Sequence, residues 1–304
     1  MKQAGSPQYS QSKLFLLLIA AIFAVSISSI LVRLSQSPPL VLAFYRQLFS
    51  AVFVLPFVMN DSNSEGPDRG DYPYLIASGL FLALHFATWI TSLTLTSVAR
   101  AALFVDLQPI WAAILGAVFL GESLSGLEIL AVGIVTAGGM VTMLPHWSEG
   151  AASVRGDLLA LSGGIAGACY LLIGRKVRAR ISWLRYMFSV YLVSAAWLLL
   201  FWVARYRHFP LPVTDDLIWL FLMALIPSLA GHGLFNLVIR NLKAYVVNAA
   251  FFGEPILATI LAAIFFHEYP DRYFYAGALI VFAGLALIFR QQKSQQDADS
   301  EPDL

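Results

Sequence analysis

Residues 107–141 and residues 253–287 are two versions of one sequence. The first reads LQPIWAAILGAVFLGESLSGLEILAVGIVTAGGMV and the second GEPILATILAAIFFHEYPDRYFYAGALIVFAGLAL. A constant offset of 146 matches Pro109 with Pro255, Ile110 with Ile256, Ala112 with Ala258, Leu115 with Leu261, Glu122 with Glu268 and Gly138 with Gly284. Each copy predicts an apolar helix carrying a proline, a glutamate at its end, and a second apolar helix. Duplicated hydrophobic bundles of this kind mark many secondary transporters, whose substrate sites lie where the two halves meet.

The chain is 59% hydrophobic and only 12% charged, with a mean hydropathy of +0.75. A soluble domain of 304 residues cannot cover so much apolar surface. A bilayer needs about 20 apolar residues per helix. Ten runs meet that need, at residues 14–33, 39–59, 73–95, 98–120, 126–145, 156–175, 184–204, 216–239, 245–266 and 273–290. The expected fold is all-α and integral to the membrane. Residues 14–145 and 156–290 each form a five-helix repeat, with polar tails at 1–13 and 291–304, the latter disordered by composition. The lone Cys169 excludes an intrachain disulfide framework.

Lysine and arginine in the loops set the orientation. With a cytoplasmic N-terminus, the inner side holds Lys2, Lys13, Arg69, Arg175, Lys176, Arg178, Arg180, Arg185, Arg240, Lys243, Arg290 and Lys293. The outer side holds only Arg33, Arg100, Arg155, Arg205, Arg207 and Arg272. Both termini are therefore expected in the cytoplasm, in a plasma or inner membrane. Five spans per half is an odd number, so the second half enters from the opposite side. The repeats are then inverted about an axis in the membrane plane, which gives alternating access a simple basis.

The pattern resembles the EamA-type members of the drug/metabolite transporter superfamily. The residues that carry the resemblance are Gln108-Pro109 through Gly121-Glu122, with Gly133 and Gly138, and their echo Glu254-Pro255 through His267-Glu268, with Gly277 and Gly284. Arg46 in LAFYRQLFSA is similar to an arginine in the second helix of such proteins. The resemblance implies transport of a small metabolite and leaves the cargo open. His267 stands where the first copy has glycine, so that helix end is expected to pack differently.

Ionisable groups inside a span are costly, about 2.5–3.5 kcal/mol on insertion scales, and usually line a cavity. The candidates are Arg46, His85, Asp106, His232 and Glu254. His85 and Trp89 share a helix face at a spacing of four, as do His232 and Asn236. The repeated arrangement reads as a cavity wall drawn from both halves, or as interhelical hydrogen bonding. Asp106 and Glu254 lie beside the helix-bending prolines Pro109 and Pro255, with Trp111 close behind the first. Such carboxylates could bind a proton or a substrate amine, or brace the bend. Arg46 could recognise an acid group on the cargo, pair with Asp106 as an outer gate, or snorkel to the interface. Arg33 and Arg100, near span ends, are expected to snorkel. Glu122 and Glu268 read as structural, accepting bonds from a neighbouring helix start.

No catalytic motif, metal-ligand spacing or cofactor signature stands out. There is no GxxxxGK[ST] motif, and His146, His208 and His267 fall in separate loops. Nucleic acid is not an expected partner at a net charge of +1. The expectation is a ten-helix secondary transporter, with the bilayer as its environment and a small organic metabolite as cargo. An amino acid or related zwitterion is the first choice, moved outward with a proton as a candidate co-passenger. The alternative is a membrane-embedded enzyme acting on a lipid. The topology is testable. Reporter fusions after residues 64 and 293 are expected to report cytoplasm and one after residue 149 the outer side, and a cytoplasmic signal at 149 would sink the inverted assignment.

Overall fold

A computed structural model describes residues 11–61, 66–120, 125–144, 151–178, 180–238 and 253–298. Among these residues the regular structure is helical throughout. The helices are α1 (Gln11–Leu34), α2 (Pro39–Asn60), α3 (Tyr72–Ser92), α4 (Val98–Val105), α5 (Gln108–Leu120), α6 (Gly126–Met143), α7 (Ala151–Val177) and α8 (Trp183–Tyr206). A short 3-10 turn, Thr214–Asp216, leads into α9 (Leu217–Met223), a π-helical segment (Ala224–His232) and α10 (Gly233–Val238). After residue 252 come α11 (Gly253–Phe266) and α12 (Arg272–Ala298). Seven stretches are long and apolar enough to cross a membrane, and Ile129–Val141, Gly253–Phe266 and Arg272–Gly284 are shorter apolar helices. The chain is thus a multi-pass helical protein. Residues 245–252 of the expected ninth span and most of the 121–125 hairpin lie outside the described residues. The last helix continues past residue 290 to Ala298.

The main packing partners pair the two halves. α2 lies on α8, α6 on α12, and α4 on α11. α3 packs on α7 while α1 packs on the π segment, and α5 packs on α7 while α1 packs on α11. Exchanging the halves maps the first three contacts onto themselves and swaps the others in pairs. Close approach at the α6–α12 seam depends on glycine. A Cβ on Gly138 would sit 2.8 Å from Gly277 O and from Val281 N, and one on Gly284 2.7 Å from Val135 Cγ2. Small residues at such seams let helix backbones touch, which is the main source of association in lipid.

Polar ties hold the ends of the bundle. Glu268 receives Arg33 Nη2 on Oε1 at 2.7 Å and the Val98 N–H, at the start of α4, on Oε2 at 3.2 Å. That is the helix-start role expected of it; Glu122 lies outside the described residues. Asp216 accepts the N–H groups of Gln36 and Ser37 and the Ser37 hydroxyl. Towards the opposite ends of the helices, Arg180 pairs with Asp71 at 2.8 Å and Ser182 bonds Asp61. One sequence expectation changes here. Arg100 does not snorkel: it is buried, and its guanidinium pairs with buried Asp157 of α7. Arg33 stays exposed at the helix end, where it reaches Glu268 and Thr96 O. Gly121, the glycine of the first copy, lies outside the described residues, so its end of the helix has no counterpart to set beside His267. His267 takes a left-handed φ of 55° and lets Glu268 N–H reach back to Ala262 O at 3.3 Å, closing the helix as a glycine would.

The α6–α12 seam yields a direct test. Gly138→Val places a branched side chain against backbone and is expected to destabilise the protein by about 1–3 kcal/mol, read from thermal unfolding in detergent micelles. Gly133→Ala, whose added Cβ meets nothing within 4 Å, is expected to keep the parental midpoint. Equal midpoints for both variants would contradict the seam.

Candidate functional site

Two local irregularities, together with the first described turn of α11, bring polar side chains to one place. The first is the break between α4 and α5. Pro109 has no N–H to offer Val105 O, and the ladder stops after the bond from Asp106 N to Ala102 O. It resumes with Ile110 N to Leu107 O at 3.1 Å. The broken turn is backed by α7, where a Cβ on Gly164 would fall 2.7 Å from Val105 O. The second irregularity is the π-helical segment around Pro227. α11 is described from Gly253 onward, with Glu254 and Pro255 among its first residues. Any bend before Gly253 lies outside the described residues.

Between these features is a small cavity lined by Val25, Ser28, Arg46, His85, Phe86, Trp89, Val105, Asp106, Gln108, His232 and Glu254. Its free volume is about 20 Å³, room for about one water molecule. The walls therefore lie close against one another. Arg46, two turns into α2, is fully buried. Its Nε donates to Ser228 Oγ and its Nη1 to Ser28 Oγ, each at 2.8 Å. Its Cζ lies 4.2 Å from the Phe86 ring centroid and 5.9 Å from that of Trp89. Among the described residues its Nη2 has no hydrogen-bond partner, and neither do Asp106 Oδ2 and Trp89 Nε1. Two donors and one acceptor thus stand unpaired in the walls of one cavity.

His85 Nδ1 lies 2.9 Å from Gly163 O. A carbonyl only accepts, so Nδ1 carries the proton and Nε2 is left as an acceptor. The His85 and Trp89 rings are 8° from parallel with centroids 6.4 Å apart. His232 stands edge-on to Phe86 at 5.7 Å and to His85 at 6.4 Å. The two histidines from matching places in the two halves therefore meet.

Of the residues singled out from sequence, Arg46, His85, Trp89, Asp106, His232 and Glu254 come together. Trp111 is not in the wall; it is half-buried against the apolar core. The Asn236 side chain lies outside the described residues. Arg46 forms no ion pair with Asp106 among the described residues. Pro255 faces a second, larger groove of about 390 Å³ between α11 and α12. Its lining is apolar, and Thr259 there turns its hydroxyl back onto Pro255 O at 2.6 Å, so it offers little to a polar cargo. Sequence reasoning passed over Gln108, Ser28 and Ser228. Gln108 had a signal: the offset of 146 carries it onto Glu254, and both line the cavity.

The repeat, the helical bundle and the polar cavity between the halves fit one known family. A model of the EamA-like transporter family matches residues 12–144 and 154–290. The chain belongs to the EamA-like transporter family. An uncharacterized transporter of Archaeoglobus fulgidus is 23% identical over 291 residues, covering 93% of this chain and 99% of the relative. An S-adenosylmethionine uptake transporter of Rickettsia felis is 26% identical over 263 residues, covering 83% of each chain. One from Rickettsia prowazekii is 27% identical over 266 residues, again 83% of each. A solved crystal structure superposes with a TM-score of 0.64 at 17% identity, over 94% of this chain and 99% of the other, which shows the fold alone. Family membership places this EamA-like chain among multi-pass transporters of small molecules.

The aromatic wall sets a testable expectation for this EamA-like cavity. Trp89→Ala and His85→Ala are expected to lower transport while the protein stays folded and inserted. Loss of a stacking ring should cost about 0.5–1.5 kcal/mol in cargo binding. Parental transport rates in both variants would remove α3 from the cargo site.

Proposed function

We propose that this chain is a ten-helix secondary transporter for an amino acid or related zwitterion, working by alternating access between two inverted five-helix repeats. One observation carries the reading: Arg46 Nη2, Trp89 Nε1 and Asp106 Oδ2 stand unpaired in the wall of one cavity. A buried polar atom left without a partner costs about 1–3 kcal/mol. A cargo carboxylate on the two donors, and a cargo ammonium on Asp106 and Glu254, would satisfy all three. The site is supplied by α1 to α5 from the first half and by the π segment and α11 from the second. The exchange of packing partners between halves supports a two-fold relation.

The aromatic faces of Trp89 and Phe86 suit a cargo with an apolar or planar side chain. The relatives named for S-adenosylmethionine support the same class, since that compound is an amino-acid derivative with a planar base and a sulfonium. One guanidinium faces two carboxylates, so a cationic cargo or a proton would balance the cavity. With no nucleotide motif in the sequence, a gradient supplies the energy. We assign export of a metabolite made inside the cell, across the plasma membrane, with both termini cytoplasmic.

The experiment is counterflow and pH-gradient-driven movement in proteoliposomes, using radiolabelled amino acids and S-adenosylmethionine in both directions. Glu254→Gln holds the side chain neutral at every pH. It is expected to abolish pH-gradient-driven accumulation while counterflow persists. Glu268→Gln keeps an acceptor for the Val98 N–H and is expected to leave the pH response intact. An unchanged gradient response in Glu254→Gln would return Glu254 to a bracing role. Absence of counterflow for every compound would overturn transport of this class.

A further inference from the structure

Arg46 is held by two serines that come from opposite halves of the chain, and one of them owes its position to a fault in a helix. Pro227 has no N–H for Met223 O, so an α-register bond is missing at that turn. The segment Ala224–His232 winds instead as a π-helix. Ser228 Oγ donates to Met223 O at 3.1 Å, five residues back. Ser228 O takes the N–H of Gly233, five residues on, together with the Tyr191 hydroxyl at 3.1 Å. π-turns are rare and occur mostly at functional positions. Here the turn presents Ser228 Oγ to Arg46 Nε at 2.8 Å. From α1, Ser28 Oγ receives Nη1 at 2.8 Å. Both serines are buried. Two in-plane bonds and the Phe86 ring at 4.2 Å fix the guanidinium plane and leave Nη2 as its open edge.

The clamp also prevents a competing state. Asp106 and Glu254 line the same cavity as Arg46. An arginine free to turn would pair bidentately with one of them, the strongest geometry open to it. That pair would cancel the anion-binding and cation-binding sides of the site together. Among the described residues Arg46 makes no ion pair, and its Nε and Nη1 are bound to hydroxyls instead.

We infer that Ser228, on the π-turn, and Ser28, on α1, are positioning residues that hold Arg46 away from the cavity carboxylates and aim Nη2 at the cargo, so that together they set the preference for a carboxylate-bearing compound. This rests on the carboxylate reading of the cavity given above. Because one hydroxyl lies in each half, the anion-binding edge is complete only when the halves are in register.

The test compares acids with amines. Purified full-length protein in micelles is titrated with a panel of L-amino acids, each set against its decarboxylated amine, and binding is read from thermal stabilisation. The parent is expected to bind at least one acid better than its amine. Ser228→Ala should cut that preference about tenfold, as expected for disturbing one charge-assisted hydrogen bond. Ser28→Ala, on a regular helix, should act in the same direction, and the double variant should erase the preference. Ser228→Thr keeps the hydroxyl and should restore it. A merely structural role would weaken acid and amine alike and leave their ratio unmoved. An unchanged ratio in the double variant overturns the clamp while leaving the carboxylate reading in place. No acid bound better than its amine by the parent overturns the carboxylate reading, and the clamp with it.

Discussion

A guanidinium buried among apolar helices sets the terms for everything packed around it. Placing an arginine at the centre of a membrane helix costs about 2.5–3.5 kcal/mol on insertion scales. Arg46 offsets part of that through Ser28, Ser228 and the Phe86 ring. It does not offset it fully, since Nη2 stays unpaired. A site that satisfied all its own atoms would have nothing to offer a ligand. The residual cost is the physical condition for binding, and tight packing of the surrounding helices has to carry it. Glycines at 163, 164 and 167 allow that packing by bringing α7 against the His85–Trp89 turn, the α4–α5 break and Gln108.

The departures from regular helix gather at the same place. Pro109 separates α4 from α5, and Pro227 falls in the π segment that follows α9. Irregular backbone at membrane depth is tolerated where protein or a cavity can satisfy it. Tyr191 does so for Ser228 O, and the cavity borders the Asp106 turn. The sequence pattern exposed much of this. Charged and imidazole groups are rare in apolar runs, so Arg46, Asp106, Glu254, His85 and His232 stood out by identity alone, and all line the cavity. The prolines marked where helices yield.

Other parts were illegible for definite reasons. Serines are common in membrane helices, and their direction depends on register. Ser228 meets Arg46 through a π-turn that shifts register at Pro227, which no periodicity in the sequence records. Trp111 follows Pro109 closely in the chain, yet the helix that resumes after the break points it at the apolar core. Arg100 looked free to snorkel because its partner, Asp157, is 57 residues away in sequence. Hydropathy predicts ten spans, and among the described residues seven stretches are long and apolar enough to cross a membrane. The shorter apolar helices, including α11 and the start of α12, depend on their packing partners.

Two ion pairs near the start of α4 differ in how far water reaches them, which bears on where the proposed rocking motion would part the bundle. Arg100–Asp157 is almost wholly excluded from solvent, whereas the Arg33 and Glu268 side chains are 31% and 28% exposed. Breaking a buried pair by removing a partner costs about 3–5 kcal/mol, while an exposed pair contributes about 0–1 kcal/mol. Arg100–Asp157 ties α4 to α7, and separating those helices would strand two charges away from water. Arg33–Glu268 ties α1 to α11, and its groups can be rehydrated as they separate. The cheaper parting line therefore runs along the ends of α1 and α11. Those two helices carry Ser28 and Glu254 into the cavity, so opening that line would move one support of Arg46 and one carboxylate of the site in a single step. In the alternating-access cycle proposed above, that coupling would follow from which of two neighbouring salt bridges water can reach.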